Sequence, residues 1–367
     1  MKVRYSYLRQ QFADPEEIIN GIRELIQRGD FTLGAAVSEF EQRFAALIGT
    51  QYAVGVNSGT DALMLSLKAL GIGHGDEVIT AANTFIATAG AINAIGARPV
   101  FVDVTPYFTL DVTQVEKAIT SHTKAVMPVH WTGEPADMDA LMAICQRHGL
   151  PVVEDACQAI LAEYRGCKAG TFGEMAGFSL HPLKNLNVWG DAGMIVTNSA
   201  DHHERLRLLR NHGMTNRDEI ALLGYNSRLD TLQAIVGNWL IDQVHTITSK
   251  RIENATRYDL SFADLEPQVL RPARRTDTRC VFHLYMLRVQ RRDELLAFLL
   301  DRGISAKVHY PIPLHLQQGL AHLGYKKGDF PVAEEQADSV ITFPVDQHLS
   351  EVEQQFVIDS VRAFYTN

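Results

Sequence analysis

The chain has 367 residues, 46% of them hydrophobic, and 34 Lys and Arg against 43 Asp and Glu give it a formal charge of −9. That composition describes a globular chain with length enough for two domains, and the negative balance argues against nucleic acid or an anionic membrane surface as main partner, while leaving room for a local phosphate pocket. No apolar run approaches a membrane span, and the N-terminal stretch MKVRYSYLRQQFADPEE turns acidic too early for a signal peptide, so a cytoplasmic location is expected.

The predicted elements alternate from about residue 35. VSEFEQRFAALIG reads as a helix with Phe40, Phe44 and Leu47 on one face, and DALMLSLKALGIG as a second helix stopped by glycine. DEVITAANTF is a strand with its exit loop, ATAGAINAIGA a small-residue helix and RPVFVDV a strand. TKAVMPVH, LPVVEDA and GMIVTN are further strands, with helices such as MDALMAICQRHG between some of them. Continuous apolar strands alternating with helices imply an α/β domain with a mostly parallel sheet covered on both faces. Leu229, Leu232, Val236, Leu240, Val244 and Ile247 then predict one long helix leading out of it. Beyond come a strand (VFHLYMLRV), a helix (RDELLAFLLDRG), a strand (SAKVHYP) and two terminal helices. The expected division is a large domain over 1–245 and a smaller α+β domain over 246–367, with the N-terminal segment free to pack on the latter.

The cysteines, Cys145, Cys157, Cys167 and Cys280, have no C-x-x-C spacing and read as reduced structural thiols. The run His202-His203-Glu204 has a surface-helix context, and no metal site is expected. GIGHGD, Gly71 to Asp76, follows a helix and precedes a strand, the reverse of a dinucleotide loop; it reads as a helix stop and a turn.

Three motifs carry chemistry. In LPVVEDACQA, Glu154 and Asp155 fall at the carboxyl end of a buried strand, the edge where open α/β sheets bind ligands; the competing reading is a helix N-cap. In NSGTDALMLSL, Ser58, Gly59 and Thr60 open a helix, where N–H groups, hydroxyls and the dipole suit an anion, although an ordinary cap explains the same residues. In FSLHPLKNLNVWGDAG, Lys184 is the one cation, set among Leu183, Leu186 and Val188 with Ser179, His181 and Asn185 beside it. A lysine short of water has a lowered pKa and a free amine able to form a Schiff base with a carbonyl. An acid, an anion cradle and such a lysine together match the needs of pyridoxal 5'-phosphate: a partner for the ring nitrogen, a phosphate site and an amine for the aldehyde. Phe85, in the loop ANTFIAT, is placed to lie against the ring face.

These motifs resemble the sugar aminotransferases of the DegT/DnrJ/EryC1/StrS family nearly end to end: NSGTDAL, TFIAT, PVHWTGEPADMD, EDACQA, FSLHPLKN, RNHG, GYNSRLDTLQA and HYPIPLHLQ occur in the family's order. The resemblance implies a fold-type-I transferase with its site at a homodimer interface. It makes Lys184 the Schiff-base lysine and Asp155 the ring-nitrogen partner. Gln158 would touch the ring hydroxyl, and Gly59, Thr60 and Ser179 would bind the phosphate. Asn226 would reach that phosphate from the other subunit, and Phe85 would stack on the ring. His181, His309, Tyr310 and His315 are candidates to line the sugar-nucleotide pocket. The implied reaction moves an amino group from glutamate to a nucleotide-linked keto-sugar; SRLD after GYN leans towards 3-keto-6-deoxyhexoses, with 4-keto sugars open. Two alternatives stand beside it. Dehydratase relatives carry histidine at the position of Lys184, though some keep lysine. A non-catalytic sensor of pyridoxal phosphate or of a sugar nucleotide would have no use for a proton-shuttling base.

Overall fold

Short runs of Val, Ile and Ala, each closed by a turn and followed by a helix, build the central sheet of the computed structural model, which describes residues 1–272 and 274–366. Tyr52–Val56, Gly193–Thr197, Met175–Ser179 and Val153–Asp155 pair in that order, and Arg98–Val102, Glu77–Ala81 and Thr123–Met127 pair beside them. Parallel bridges from Val126 to Val152 and from Val129 to Asp155 join the two groups into one sheet. Gly193–Thr197 pairs antiparallel with both its neighbours, and the other strands run parallel.

Helices cover both faces. Gly59–Ala69 lies close on the sheet because Gly177 has no side chain there: a Cβ would meet Leu63 Cδ2 at 2.8 Å. On the opposite side Ala35–Ile48 buries Phe40, Phe44 and Ile48, while Leu47 is only half-buried. Phe44 meets Phe178 of the sheet edge-on, with ring centroids 5.2 Å apart.

A second, antiparallel sheet joins Val269–Leu270, Tyr285–Val289 and Val340–Phe343. The helices Val244–Ser261, Arg292–Asp301 and Glu351–Thr366 share a core with it, and Val3 and Tyr7 of the N-terminal segment are buried in that core. The residues Leu314, Leu320, Leu323 and Phe330, by contrast, pack on the large sheet beside Ile79 and Val126.

The structure departs from the sequence reading at three elements. The single long helix is two, Thr231–Leu240 and Val244–Ser261, joined by a tightened turn Ile241–Gln243. Leu229 lies ahead of the first helix, and Leu232 is 44% exposed, so the apolar repeat does not mark one buried stripe. SAKVHYP makes a single bridge, Lys307 to Thr342, because the chain turns away at Tyr310 and Pro311 and Pro313 offer no N–H to extend a ladder. The strand Val340–Phe343, only four residues long, was hidden between helical patterns. Among the described residues no helix is long and apolar enough to cross a membrane.

Phe44→Ala should lower stability to urea by about 3–5 kcal/mol, the usual cost of emptying an aromatic site in a packed core. An unchanged midpoint would show that the helix Ala35–Ile48 is not fixed through this ring.

Candidate active site

Successive residues of a strand face opposite sides, and this separates the two acids. Glu154 is buried and saturated: its carboxylate accepts from the backbone N–H of Gly170, Phe172 and Gly173 at 2.7–2.8 Å and lies 2.9 Å from His130 Nε2. Asp155 ends the strand on the other side and is 5% exposed. Its Oδ2 accepts from Thr88 Oγ1 at 2.7 Å and its Oδ1 from the Cys157 N–H at 3.2 Å. Turns follow it instead of a helix, so Asp155 caps nothing.

Ser58 is the N-cap of Gly59–Ala69, accepting from the Asp61 N–H at 3.1 Å. The ordinary-cap reading therefore holds for Ser58, and Gly59 and Thr60 form the first turn beyond it. Gly59 is sterically required: a Cβ would lie 2.6 Å from Ser179 Cβ and 3.0 Å from Cys157 Sγ. The loop, the strand end at Ser179 and the turn at Cys157 converge there.

Lys184 sits on a turn after Met175–Ser179, its N–H donating to His181 O and its carbonyl accepting from Asn187 Nδ2, both at 2.8 Å. The side chain is half-buried, and Nζ has no hydrogen bond or ion pair among the described residues. Burial pushes its pKa below that of an ordinary lysine, against the opposing pull of Cys157 and Asp155. Burial also raises the Cys157 thiol, which stays protonated. Gln158 is pinned through Oε1, which accepts from the Thr132 N–H at 2.9 Å, leaving its amide N–H groups as donors. Phe85 precedes the helix Ile86–Ala94, is 48% exposed and has its ring 5.9 Å from that of Tyr310.

One cavity of about 290 Å³ is walled by Gly59, Thr60, Phe85, Asp155, Gln158, Ser179 and Lys184, together with His181, His309 and Tyr310. A larger groove of about 790 Å³, between Glu16–Arg28, Ala35–Ile48 and Thr231–Leu240, holds none of them. His309 Nδ1 lies 2.9 Å from Thr342 Oγ1, and burial pushes its pKa down to about 4, so the ring is neutral near pH 7. Burial raises Tyr310 to about 12, keeping its hydroxyl protonated.

Two expected residues lie elsewhere. Asn226 is exposed in a separate depression with Asn57 and Asp230, bridged to Asn211. His315 is buried, with Nε2 2.9 Å from Glu334 Oε1 and its ring edge-on to Phe330 at 4.8 Å. The short turn Leu314–Leu316 aims it into the apolar layer, so it does not line the pocket. Conversely, Tyr5, Trp131, His283 and Lys307 do line it. Trp131 belongs to the motif PVHWTGEPADMD and follows a strand's carboxyl end, a signal present in the sequence; Tyr5, His283 and Lys307 come from the segments packed over the site, where nothing local marks them.

A lysine amine, a strand-end carboxylate and a glycine-headed helix around one cavity define an aminotransferase-type site, and the comparisons agree. The sequence profile of the DegT/DnrJ/EryC1/StrS aminotransferase family matches residues 13–362. The dTDP-3-amino-3,4,6-trideoxy-alpha-D-glucose transaminase of Streptomyces venezuelae is 43% identical, over 99% of this chain and 94% of its own. A pleiotropic regulatory protein of Geobacillus stearothermophilus is also 43% identical, over 95% of this chain and 94% of its own. The crystal structure of S. venezuelae DesV in complex with a ketimine intermediate superposes with a TM-score of 0.96 at 42% identity, covering 99% and 98% of the two chains. The chain belongs to the DegT/DnrJ/EryC1/StrS aminotransferase family. It has the fold-type-I architecture of these pyridoxal-phosphate enzymes and is an aminotransferase.

The residues present fit that cofactor. The amine at Lys184 is unbonded, the carboxylate of Asp155 is already oriented by two donors, and the anion end of the helix is kept open by a glycine that no other residue can replace without a clash. Gly59→Ala should therefore weaken cofactor retention at least tenfold (about 1.4 kcal/mol), measured by dialysis and visible absorbance. Full retention would mean that the loop yields without cost.

Proposed function

We propose that the chain transfers the amino group of L-glutamate to the keto carbon of a nucleotide-linked 3-keto-6-deoxyhexose. One observation carries the reading: Lys184 Nζ, unbonded and short of water, shares a cavity with the buried, hydrogen-bonded carboxylate of Asp155. The sugar position is drawn from relatives. Those named for dTDP- or UDP-linked sugars name the third carbon, and the dTDP-linked ones are 6-deoxy sugars.

When bound, pyridoxal phosphate supplies an electron sink that makes the donor's α-proton acidic. Asp155 would hold the ring nitrogen, in an orientation fixed by Thr88. Gly59, Thr60 and Ser179 would take the phosphate at the positive end of the helix. Gln158 would donate to the ring hydroxyl, and Phe85 would cover the ring face. Lys184 would anchor the cofactor at rest. Once the donor amine has displaced it, Nζ would move the donor's α-proton to the cofactor carbon, and in the second half-reaction it would move a proton from that carbon to the former carbonyl carbon of the sugar. Burial suits the lysine to that task, because a lowered pKa leaves more neutral amine near pH 7. Tyr310 and the neutral ring of His309 would face the sugar, with His181 at the rim. Asn226, remote from the cavity of its own chain, would complete the phosphate site of a partner subunit in a homodimer.

Three measurements check this reading. Borohydride reduction followed by peptide mapping should label Lys184, and Lys184→Ala should lose the label and at least about 100-fold of turnover; labelling of another residue would overturn the assignment. Mixing Lys184→Ala with Asn226→Ala protomers should restore activity lost in each, since one site of the mixed dimer regains both residues. A panel of nucleotide-linked keto-sugars, scored by product mass, should give its highest kcat/KM with a 3-keto substrate.

A further inference from the structure

Arg251 is 6% exposed on the inner side of the helix Val244–Ser261, yet Nε and Nη1 of its guanidinium have no hydrogen-bond partner and it forms no ion pair among the described residues. Asp346, an acid that shares a chamber wall with it, is engaged elsewhere: its carboxylate accepts from the N–H groups of Tyr7 at 3.3 Å and His348 at 2.9 Å. A buried cation without acceptors is costly, and folded proteins retain one where a ligand supplies the missing anion. Burial lowers the Arg251 pKa, and Asp346 and Tyr5 only partly oppose it.

The position of the arginine names the ligand. Arg251 walls a small chamber whose other sides include Tyr5, Lys184, Asn187 and His283, with Asp346 on a further side, its carboxylate turned to the backbone N–H groups of Tyr7 and His348. Tyr5, Leu183, Lys184 and His283 also wall the main cavity, so the two spaces meet at Lys184. His283 adds a third unsatisfied atom, Nδ1. The chamber measures about 10 Å³, room for about one water-sized atom such as a single carboxylate oxygen, and the remainder of any ligand would lie in the 290 Å³ cavity. Of the two substrates, the 6-deoxy keto-sugar has no charge on its ring. The amino acid places a carboxylate one carbon from the amine that must displace Lys184.

We infer that Arg251, with His283 beside it, forms the site for the α-carboxylate of the amino-acid donor. The inference rests on the transamination reading above. Arg251 binds substrate and takes no part in proton transfer.

The test uses the cofactor-loaded protein and glutarate, a dicarboxylate without an amine, titrated by calorimetry. Glutarate should bind the wild type, and Arg251→Gln should raise its Kd at least roughly 30-fold, the loss typical when one partner of a buried charge pair is removed. Arg251→Lys, which keeps the charge without the fork, should fall between. Because the guanidinium has no hydrogen-bond or ion-pair partner among the described residues, the ligand-free Arg251→Gln protein should melt no lower than the wild type. An unchanged glutarate Kd in Arg251→Gln, a markedly lower ligand-free Tm, or displacement of glutarate by equimolar sulfate would each overturn the inference. The underlying reading fails separately. If wild-type protein shows no absorbance change with L-glutamate or any other L-amino acid, transamination itself is wrong. If the wild type responds and Arg251→Gln responds at the same concentrations, only the carboxylate site is wrong.

Discussion

The structure turns on withholding water from one amine while holding a carboxylate in a fixed orientation across the same cavity. Lys184 is half-buried with no hydrogen bond at Nζ among the described residues, and Asp155 is nearly fully buried with both oxygens engaged. The two groups are treated differently by hydrogen bonding. Thr88 and the Cys157 N–H support the carboxylate, whereas the lysine is given no acceptor and its amine is left free to react.

The sheet makes this arrangement possible. Parallel strands bring their carboxyl ends to one edge; the last residue of Val153–Asp155 puts Asp155 there, and the loops following Met175–Ser179 and Thr123–Met127 deliver Lys184 and Trp131. Close approach is then set by glycine. Gly177 lets Gly59–Ala69 settle on the sheet, and Gly59 lets the head of that helix meet Ser179 and Cys157. The alternation of strand side chains sends Glu154 to the opposite face, where it ties down the turn at Gly170–Gly173. Two adjacent acids thus have unrelated tasks, one structural and one facing the cavity.

The C-terminal part of the chain closes the site from the other side. Its contribution is made of single residues, His283, Lys307, His309 and Tyr310, joined by Tyr5 of the N-terminal segment packed with it. Their chemistry is kept neutral by burial, with His309 near 4 and Tyr310 near 12, so the pocket's polar wall donates and accepts hydrogen bonds without adding charge. Lys307 is the exception, its Nζ held 4.1 Å over the Tyr5 ring.

Local patterns sufficed for the alternating strands and helices, the mostly parallel sheet, and the placement of Asp155, Gly59, Thr60 and Lys184, because these depend on residue type and short spacing. The apolar repeat from Leu229 to Ile247 misled, since periodicity does not register a tightened turn or a Leu232 left in solvent. His315 was read as a pocket residue from its motif, but a turn of three residues decides which way its ring points, and here it points into the core. Arg251 sits among ordinary helix residues and has no distinguishing neighbour in the sequence. Only the packing of Val244–Ser261 against the lysine turn leaves its guanidinium buried without an acceptor, because burial and hydrogen-bond partnership are properties of contacts between distant segments.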